Sequence, residues 1–182
     1  KFFSFGITKE NADVNIIDVK ANPFVEINFS NLIIKSHLIG LYNANNINAA
    51  LTIGKYFGVD DIAIKEGLES YIPENNRSQL LSKGTNQIIL DAYNANPSSM
   101  KVAIENFLQL DNPNKIMILG DMFELGDAST QEHLEVLKLL LDKNEIQCFF
   151  IGSAFYANKT VTTHFHFYET FDSFSEYLKE IK

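Results

Sequence analysis

Short apolar runs alternate with helical stretches through the second half of the chain, and this alternation constrains the fold more than any other feature. The runs predict strands at 80–81, 88–90, 116–119, 148–152 and 164–168, and the helical patterns cover 96–110, the region around 134–141, and 171–181. Strands joined by helices of this length form right-handed crossovers in a parallel sheet. The sequence therefore predicts an α/β fold with a Rossmann-like, mostly parallel sheet over residues 77–182.

The first part of the chain has a different pattern. Runs rich in β-branched and aromatic residues predict strands at 2–6, 14–19, 24–29 and 32–34, too close together for crossover helices and so mostly antiparallel. Helices are predicted at 43–57 and 60–70. A polar segment, 72–77, follows a proline that ends the second helix. We place a domain boundary there, which gives domains 1–76 and 77–182.

Composition narrows the class of protein. The net charge of −8 leaves no basic face for a nucleic-acid backbone, so we expect no nucleic-acid partner. Cys148 is the single cysteine and lies in an apolar run, which indicates a buried thiol and a reduced, cytoplasmic setting. No apolar run approaches the roughly 20 residues that span a bilayer. We expect a monomer without a membrane span.

Polar residues end several of the predicted strands. Asp91 follows 88–90, Gly120-Asp121 follows 116–119, and Gly152-Ser153 ends the next strand. If these ends share one edge of a parallel sheet, they predict a ligand crevice; the alternative is that the carboxylates cap turns and helices. A carboxylate such as Asp91 suits the two donors of a sugar diol.

Three further side chains could read a nucleotide. Arg77 suits phosphate, although a solvated linker residue is the simpler interpretation of its position. Asn43 and Asn46 face one side of a helix N-terminus, where amides could read an adenine edge but where capping is the better local interpretation. The histidines show no metal-ligand spacing, and neither a P-loop nor a G-x-G-x-x-G segment occurs. We therefore predict no metal site and no phosphate cradle within this chain.

A series of motifs resembles a known family. In order, they are Gly40-x-Tyr42-Asn43-x-x-Asn46-x-x-Ala49-Ala50, Asn76-Arg77, Asp91-Ala92-Tyr93-Asn94-Ala95-Asn96-Pro97-Ser98-Ser99-Met100, Leu119-Gly120-Asp121-Met122-Phe123-Glu124-Leu125-Gly126, and His133. The series resembles the Mur ligases of peptidoglycan synthesis over almost the whole chain. The third and fourth segments are the specific ones, and they resemble the members that add D-alanyl-D-alanine to a UDP-linked muramoyl tripeptide.

The resemblance implies a three-domain, ATP-dependent amide ligase. Residues 1–76 would be the tail of its central ATPase domain, and 77–182 most of its C-terminal Rossmann-like domain. The P-loop, the Mg²⁺ ligands and a modified lysine would lie upstream of Lys1, and a last strand and helix would follow Lys182. Such a fragment would be inactive alone. The substrates would be ATP, the UDP-muramoyl tripeptide and D-alanyl-D-alanine, joined through an acyl phosphate.

The resemblance also implies residue roles. The nucleotide-binding residues would be Asn43, Asn46, Arg77, Asp91 and Tyr93, and the residues facing the dipeptide would be Asn94, Asn96, Asp121 and Glu124. Tyr42 stands where the family often has histidine. The alternatives are a folylpolyglutamate synthase-like ligase, which the two specific segments disfavour, and a non-catalytic α/β module with Asp91 as phosphoacceptor, which lacks the second acidic cluster it would need.

Overall fold

The computed structural model describes residues 3–8, 11–74 and 76–180. They form two compact units, one of residues 1–93 with 105–110 and one of residues 94–104 with 111–182. The predicted division after residue 76 concerns the domains of the family and stays a prediction. Phe2, Asn75 and Ile181, which belong to a predicted strand, linker and helix, lie outside the described residues.

A four-stranded sheet begins the first unit. Strands β1 (Phe5–Ile7), β2 (Val14–Ala21), β3 (Phe24–Phe29) and β4 (Leu32–Ile39) lie in that order. The β2–β3 and β3–β4 pairings are antiparallel, as predicted, whereas β1 runs parallel to β2. Alternate residues of β3 are buried because successive side chains of a strand point to opposite faces.

Two helices cover the buried face of this sheet. Helix α1 (Asn43–Tyr56) and helix α2 (Asp61–Ser70) match the predicted helices closely. The Oδ1 atom of Asp60 accepts a hydrogen bond from the Ile62 N–H at 2.9 Å and caps α2. The core between sheet and helices consists of Val14, Ile16, Val25, Ile27, Phe29, Ile34, Ala44, Ile47, Leu51 and Ile64.

The hairpin that leads to Asp91 corrects one expectation. Strands β5 (Gln79–Lys83) and β6 (Asn86–Leu90) pair antiparallel in a two-stranded sheet. A strand forms at the predicted residues 88–90, but it does not belong to the parallel sheet, and Ile88 is 41% exposed. The turn at Gly84 and Thr85 lets the two strands satisfy each other's backbone groups directly.

The second unit contains the parallel sheet. Helix α3 (Pro97–Gln109), of which residues 97–104 belong to this unit, begins after Asn96, whose Oδ1 atom accepts the Ser99 N–H at 2.9 Å. Strands β7 (Ile116–Gly120), β8 (Gln147–Ile151) and β9 (Phe165–Tyr168) run parallel in that order. Helices α4 (Ser129–Leu140), α5 (Ser153–Ala157) and α6 (Phe171–Glu180) follow β7, β8 and β9 respectively. The predicted α/β fold with parallel strands is confirmed.

Aromatic side chains fill the core of this unit. Phe150 is fully buried, and its ring centroid lies 5.0 Å from those of Phe155, Phe165 and Phe167. Cys148 is also fully buried, and burial raises the pKa of its thiol to about 12. The thiol is therefore a small apolar group of the core, as predicted. Across the described ranges, no helix has the combined length and apolarity needed to cross a bilayer.

Candidate functional site

A short turn in the first unit, Asn76–Ser78, is held by the residues that follow β6. Asn76 and Ser78 both adopt left-handed backbone conformations, with φ of 58° and 48°. The Ala92 N–H donates to the Asn76 carbonyl at 2.8 Å, and the Ser78 N–H donates to Asp91 Oδ1 at 3.3 Å. These bonds fix the backbone on either side of Arg77.

Arg77 stacks on an aromatic ring beside an open pocket. The guanidinium carbon lies 3.8 Å from the centroid of the Tyr93 ring, which is a cation–π geometry. Tyr93 is 62% exposed, and Arg77 is exposed too. The pocket has a volume of about 520 Å³, and its lining residues are Tyr71, Glu74, Asn76, Arg77 and Tyr93. The arrangement offers a planar cation and a ring face to an anionic, flat ligand.

The hydroxyl of Tyr42 contacts both Ser78 and Asp91. Its hydroxyl is hydrogen-bonded to Ser78 Oγ and donates to Asp91 Oδ2 at 3.5 Å. Burial is the largest cause that raises the pKa of Tyr42 above its usual range, and the Asp91 charge adds to it. The phenol therefore stays a neutral donor at neutral pH. The sequence had singled out Tyr42 only as a departure from the family pattern.

We expect Tyr42→Phe to lower the free energy of unfolding by about 1 kcal/mol, because the partly buried hydroxyl loses its hydrogen bonds to Ser78 and Asp91. Urea unfolding of the variant measures this. Tyr56→Phe is the matched control, since Tyr56 is 60% exposed and its hydroxyl has no comparable buried setting. Equal stability of the two variants would contradict a structural role for the Tyr42 hydroxyl.

The two asparagines of α1 differ in what their amides contact. Asn43 is only 5% exposed, and its Nδ2 atom donates to the Ile39 carbonyl at 2.7 Å. Its Oδ1 atom accepts from Asn46 Nδ2 at 2.9 Å. Asn46 is exposed. The capping interpretation is wrong for Asn43, because the N-cap residue of α1 is Tyr42 and the Asn43 amide bonds the Ile39 carbonyl and the Asn46 side chain. Asn43 thus ties α1 to the end of β4, and the Asn46 side chain is exposed; a nucleotide role for either stays a prediction.

In the second unit, Asp121 is buried at the end of β7. Its Oδ2 and Oδ1 atoms accept the Ala154 and Phe155 N–H groups at 2.8 and 2.9 Å, so the carboxylate caps α5. Its own N–H donates to the Ile151 carbonyl at 3.1 Å. Gly152 lies against it. A Cβ atom at Gly152 would lie 2.2 Å from Asp121 Cγ, so only glycine fits there.

His133 is the residue whose role sequence reasoning missed. Its side chain is fully buried, a placement that the motif series and the spacing of the histidines did not indicate. Nδ1 lies 2.7 Å from the Ser129 carbonyl, which can only accept, and Nε2 accepts the Met122 N–H at 3.1 Å. These partners define a neutral imidazole, so the 3.6 Å contact between Nε2 and Asp121 is not an ion pair. The apolar face of α4, with Val136, Leu137 and Leu140, was the available signal.

The structure brings together some of the predicted site residues. Asp121 meets Gly152 at the neighbouring ends of β7 and β8, as expected for one sheet edge. Asp91 follows β6 of the hairpin and clusters with Ser78 and Tyr42 instead. The other residues predicted to face the dipeptide are all exposed; they are Asn94, Asn96 and Glu124. In the part of the chain that the structure describes, no group of three or more His, Cys, Asp or Glu side chains could hold a metal ion.

The parallel sheet β7–β8–β9, with a helix after each of its strands, defines a domain of the α/β class. Residues 76–179 match the family model described as "Mur ligase, glutamate ligase domain". The match covers more than half of the chain, so the chain belongs to the Mur ligase family.

Individual relatives agree with this assignment. The UDP-N-acetylmuramoyl-tripeptide–D-alanyl-D-alanine ligase of Bacillus subtilis is 38% identical over 100 residues, covering 54% of this chain and 22% of that protein. The enzyme of the same name from Treponema pallidum is 30% identical over 122 residues, covering 67% and 26%. A crystal structure of MurF from Acinetobacter baumannii superposes with a TM-score of 0.82 at 28% identity, covering 97% of this chain and 40% of that one. The chain thus spans well under half the length of these relatives.

Proposed function

We propose that this chain is part of an ATP-dependent amide ligase that joins D-alanyl-D-alanine to a UDP-N-acetylmuramoyl tripeptide. The names of the relatives and the two specific motif segments, Asp91–Met100 and Leu119–Gly126, support the proposal. ATP would phosphorylate the tripeptide carboxylate, and the dipeptide amine would then displace phosphate from the acyl phosphate. ATP and UDP-linked precursors are cytoplasmic metabolites, which agrees with the cytoplasmic setting expected from the sequence.

The observation that carries the nucleotide part of the proposal is the Arg77 stack on Tyr93 beside the open pocket. Arg77 would neutralise the ribose–phosphate portion of ATP, and Tyr93 would lie beside the nucleotide. Asp91 would accept hydrogen bonds from the ribose hydroxyls, and its bonds to Ser78 and Tyr42 support that orientation. Asn46, whose side chain is exposed, would read the adenine edge, with Asn43 holding its amide.

On the acceptor side, Asn94, Asn96 and Glu124 would face the dipeptide, and Asp121 would contribute to the same region. The contribution of these residues is to bind and orient two anionic reactants and an amine so that attack is effectively intramolecular. Mg²⁺ would offset the phosphate charge in such a reaction. The described residues do not fit a magnesium site, because they contain no acidic cluster, so none of them is given that role.

Replacement of Arg77 tests the proposal in the full-length protein. We expect Arg77→Ala to raise KM for ATP about tenfold or more, since one charge-assisted contact with the nucleotide is lost. KM for D-alanyl-D-alanine should stay the same. Initial rates of phosphate release at varied ATP measure the effect.

Lys83→Ala is the matched control, because Lys83 is an exposed cation of the hairpin that follows Arg77 and does not line the pocket. Unchanged ATP kinetics in Arg77→Ala would show that the pocket is not part of the nucleotide site. Ligation of glutamate to a folate in place of D-alanyl-D-alanine to the tripeptide would favour the folylpolyglutamate synthase-like alternative.

A further inference from the structure

The loop 122–126 in the second unit has one buried residue followed by two outward side chains. Met122 is 3% exposed, whereas Phe123 is 77% exposed and Glu124 is exposed. Glu124 adopts a left-handed conformation with φ of 62°, a strained geometry for a residue other than glycine. Such conformations persist where the surrounding structure holds them in place. The contacts that hold this loop therefore decide where the Glu124 carboxylate points.

Two buried side chains supply those contacts. His133 on α4 accepts the Met122 N–H through Nε2, and its Nδ1 atom is anchored on the Ser129 carbonyl. Asp121, the residue before the loop, is tied by both oxygens to the first N–H groups of α5. The loop thus begins from a backbone fixed to two separate helices.

Neither side chain has a free face for a ligand. His133 is 0% exposed, and its ring packs edge-on against Phe155 at 4.5 Å between centroids. Asp121 is 8% exposed, and both of its oxygens already accept backbone N–H groups. Each carboxylate oxygen can accept a second hydrogen bond, but the side chain is buried and held against α5, so a dipeptide could reach it only if the carboxylate moved away from those N–H groups. The side chains of His133 and Asp121 are therefore better suited to holding the loop than to contacting the substrate.

We propose that His133 and Asp121 are positioning residues that set the loop 122–126, so that Glu124 meets the ammonium group of the acceptor dipeptide. The inference rests on the proposed function and changes the role of Asp121 from a substrate contact to a support. A carboxylate held in one orientation binds an ammonium group more tightly than a mobile one, because less conformational entropy is lost on binding. Loosening the loop should therefore weaken binding of the dipeptide and leave binding of ATP unchanged.

The test compares three histidine variants in the full-length enzyme. His133→Asn can keep a donor for the Ser129 carbonyl but loses the acceptor for the Met122 N–H. His133→Gln can keep that acceptor. His164→Asn is the matched control, because His164 is 1% exposed in the same unit and bonds the carbonyl of Leu140, the last residue of α4, through Nε2. Thermal unfolding establishes that each variant is folded.

We expect His133→Asn to raise KM for D-alanyl-D-alanine about tenfold, the equivalent of one lost positioning hydrogen bond, with KM for ATP unchanged. His133→Gln should recover most of that loss. His164→Asn should lower the unfolding temperature without changing either KM. A purely structural role of His133 would lower stability in the same way and would not separate the two KM values.

A double-mutant cycle with Glu124→Ala identifies the side chain through which His133 acts. If His133 orients Glu124, His133→Asn should add nothing to the dipeptide KM once Glu124 is replaced. Additive effects, equal increases of both KM values, or an unchanged dipeptide KM in an active enzyme would each overturn the positioning role. A wild-type enzyme that does not use D-alanyl-D-alanine would instead overturn the proposed function, so the two failures are distinguishable.

Discussion

Replacing Gly152 with alanine should lower the free energy of unfolding of the second unit by about 3–5 kcal/mol, through backbone strain and lost buried hydrogen bonds together. Gly152 has φ of 133° and ψ of 160°, a region that side chains other than glycine essentially do not occupy. The added Cβ atom would also lie 2.2 Å from Asp121 Cγ. Asp121 would have to move, and the N–H groups of Ala154 and Phe155 would lose their acceptor. Amide hydrogen exchange at 147–151 measures the change in local stability.

Two other glycines of the unit separate the causes. Gly126→Ala tests a left-handed backbone in open space, since φ is 53° and nothing lies within 4 Å of the added Cβ atom. Gly120→Ala tests an open position without positive φ, at the end of the neighbouring strand. The expected order of destabilisation is Gly152, then Gly126, then Gly120. A Gly152→Ala protein as stable as the Gly120→Ala protein would show that Asp121 does not need the space beside it.

The second large effect is expected at Asn43. Asn43→Ala should lower the free energy of unfolding by about 2 kcal/mol, because the buried Ile39 carbonyl loses its donor and a buried polar group without a partner is costly. Asn46→Ala should change stability little, since the Asn46 side chain is exposed. Urea unfolding of both variants gives the comparison.

The same pair separates folding from nucleotide binding. If Asn46 reads adenine, Asn46→Ala should raise KM for ATP while leaving the unfolding midpoint unchanged. Asn43→Ala should affect ATP only to the extent that Asn46 loses the acceptor Oδ1. A larger ATP effect at Asn43 than at Asn46 would contradict this division of roles.

Local signals in the sequence were sufficient for most elements of the fold. The helical pattern over 96–110 predicted α3 closely, and the helix-length spacing between apolar runs predicted the parallel strands β7, β8 and β9. The short helix α5 was missed because five residues carry too little periodicity. The parallel pairing of β1 with β2 was missed because strand direction depends on where a connection crosses, and apolar runs do not encode this.

Part of the candidate site followed from residue chemistry and part did not. Asp91 and Asp121 were found because carboxylates after apolar runs are visible in a sequence. The stack of Arg77 on Tyr93 was not foreseen, since it depends on the left-handed turns on both sides of Arg77. Likewise, nothing in the spacing of Asn43 and Asn46 shows which amide turns inward. The Ile39 carbonyl, which accepts from Asn43, decides this, and it lies at the end of β4, beyond the predicted strand 32–34.

Cys148 gives the second unit an internal reporter of its opening. The thiol is fully buried in the central strand of the parallel sheet, and its pKa of about 12 keeps it protonated at neutral pH. A thiol-specific reagent can then react only with molecules in which β8 has separated from its neighbours. The rate of labelling at Cys148 therefore reports how often the sheet opens. The dynamics of the sheet can be followed on this side chain without an introduced probe.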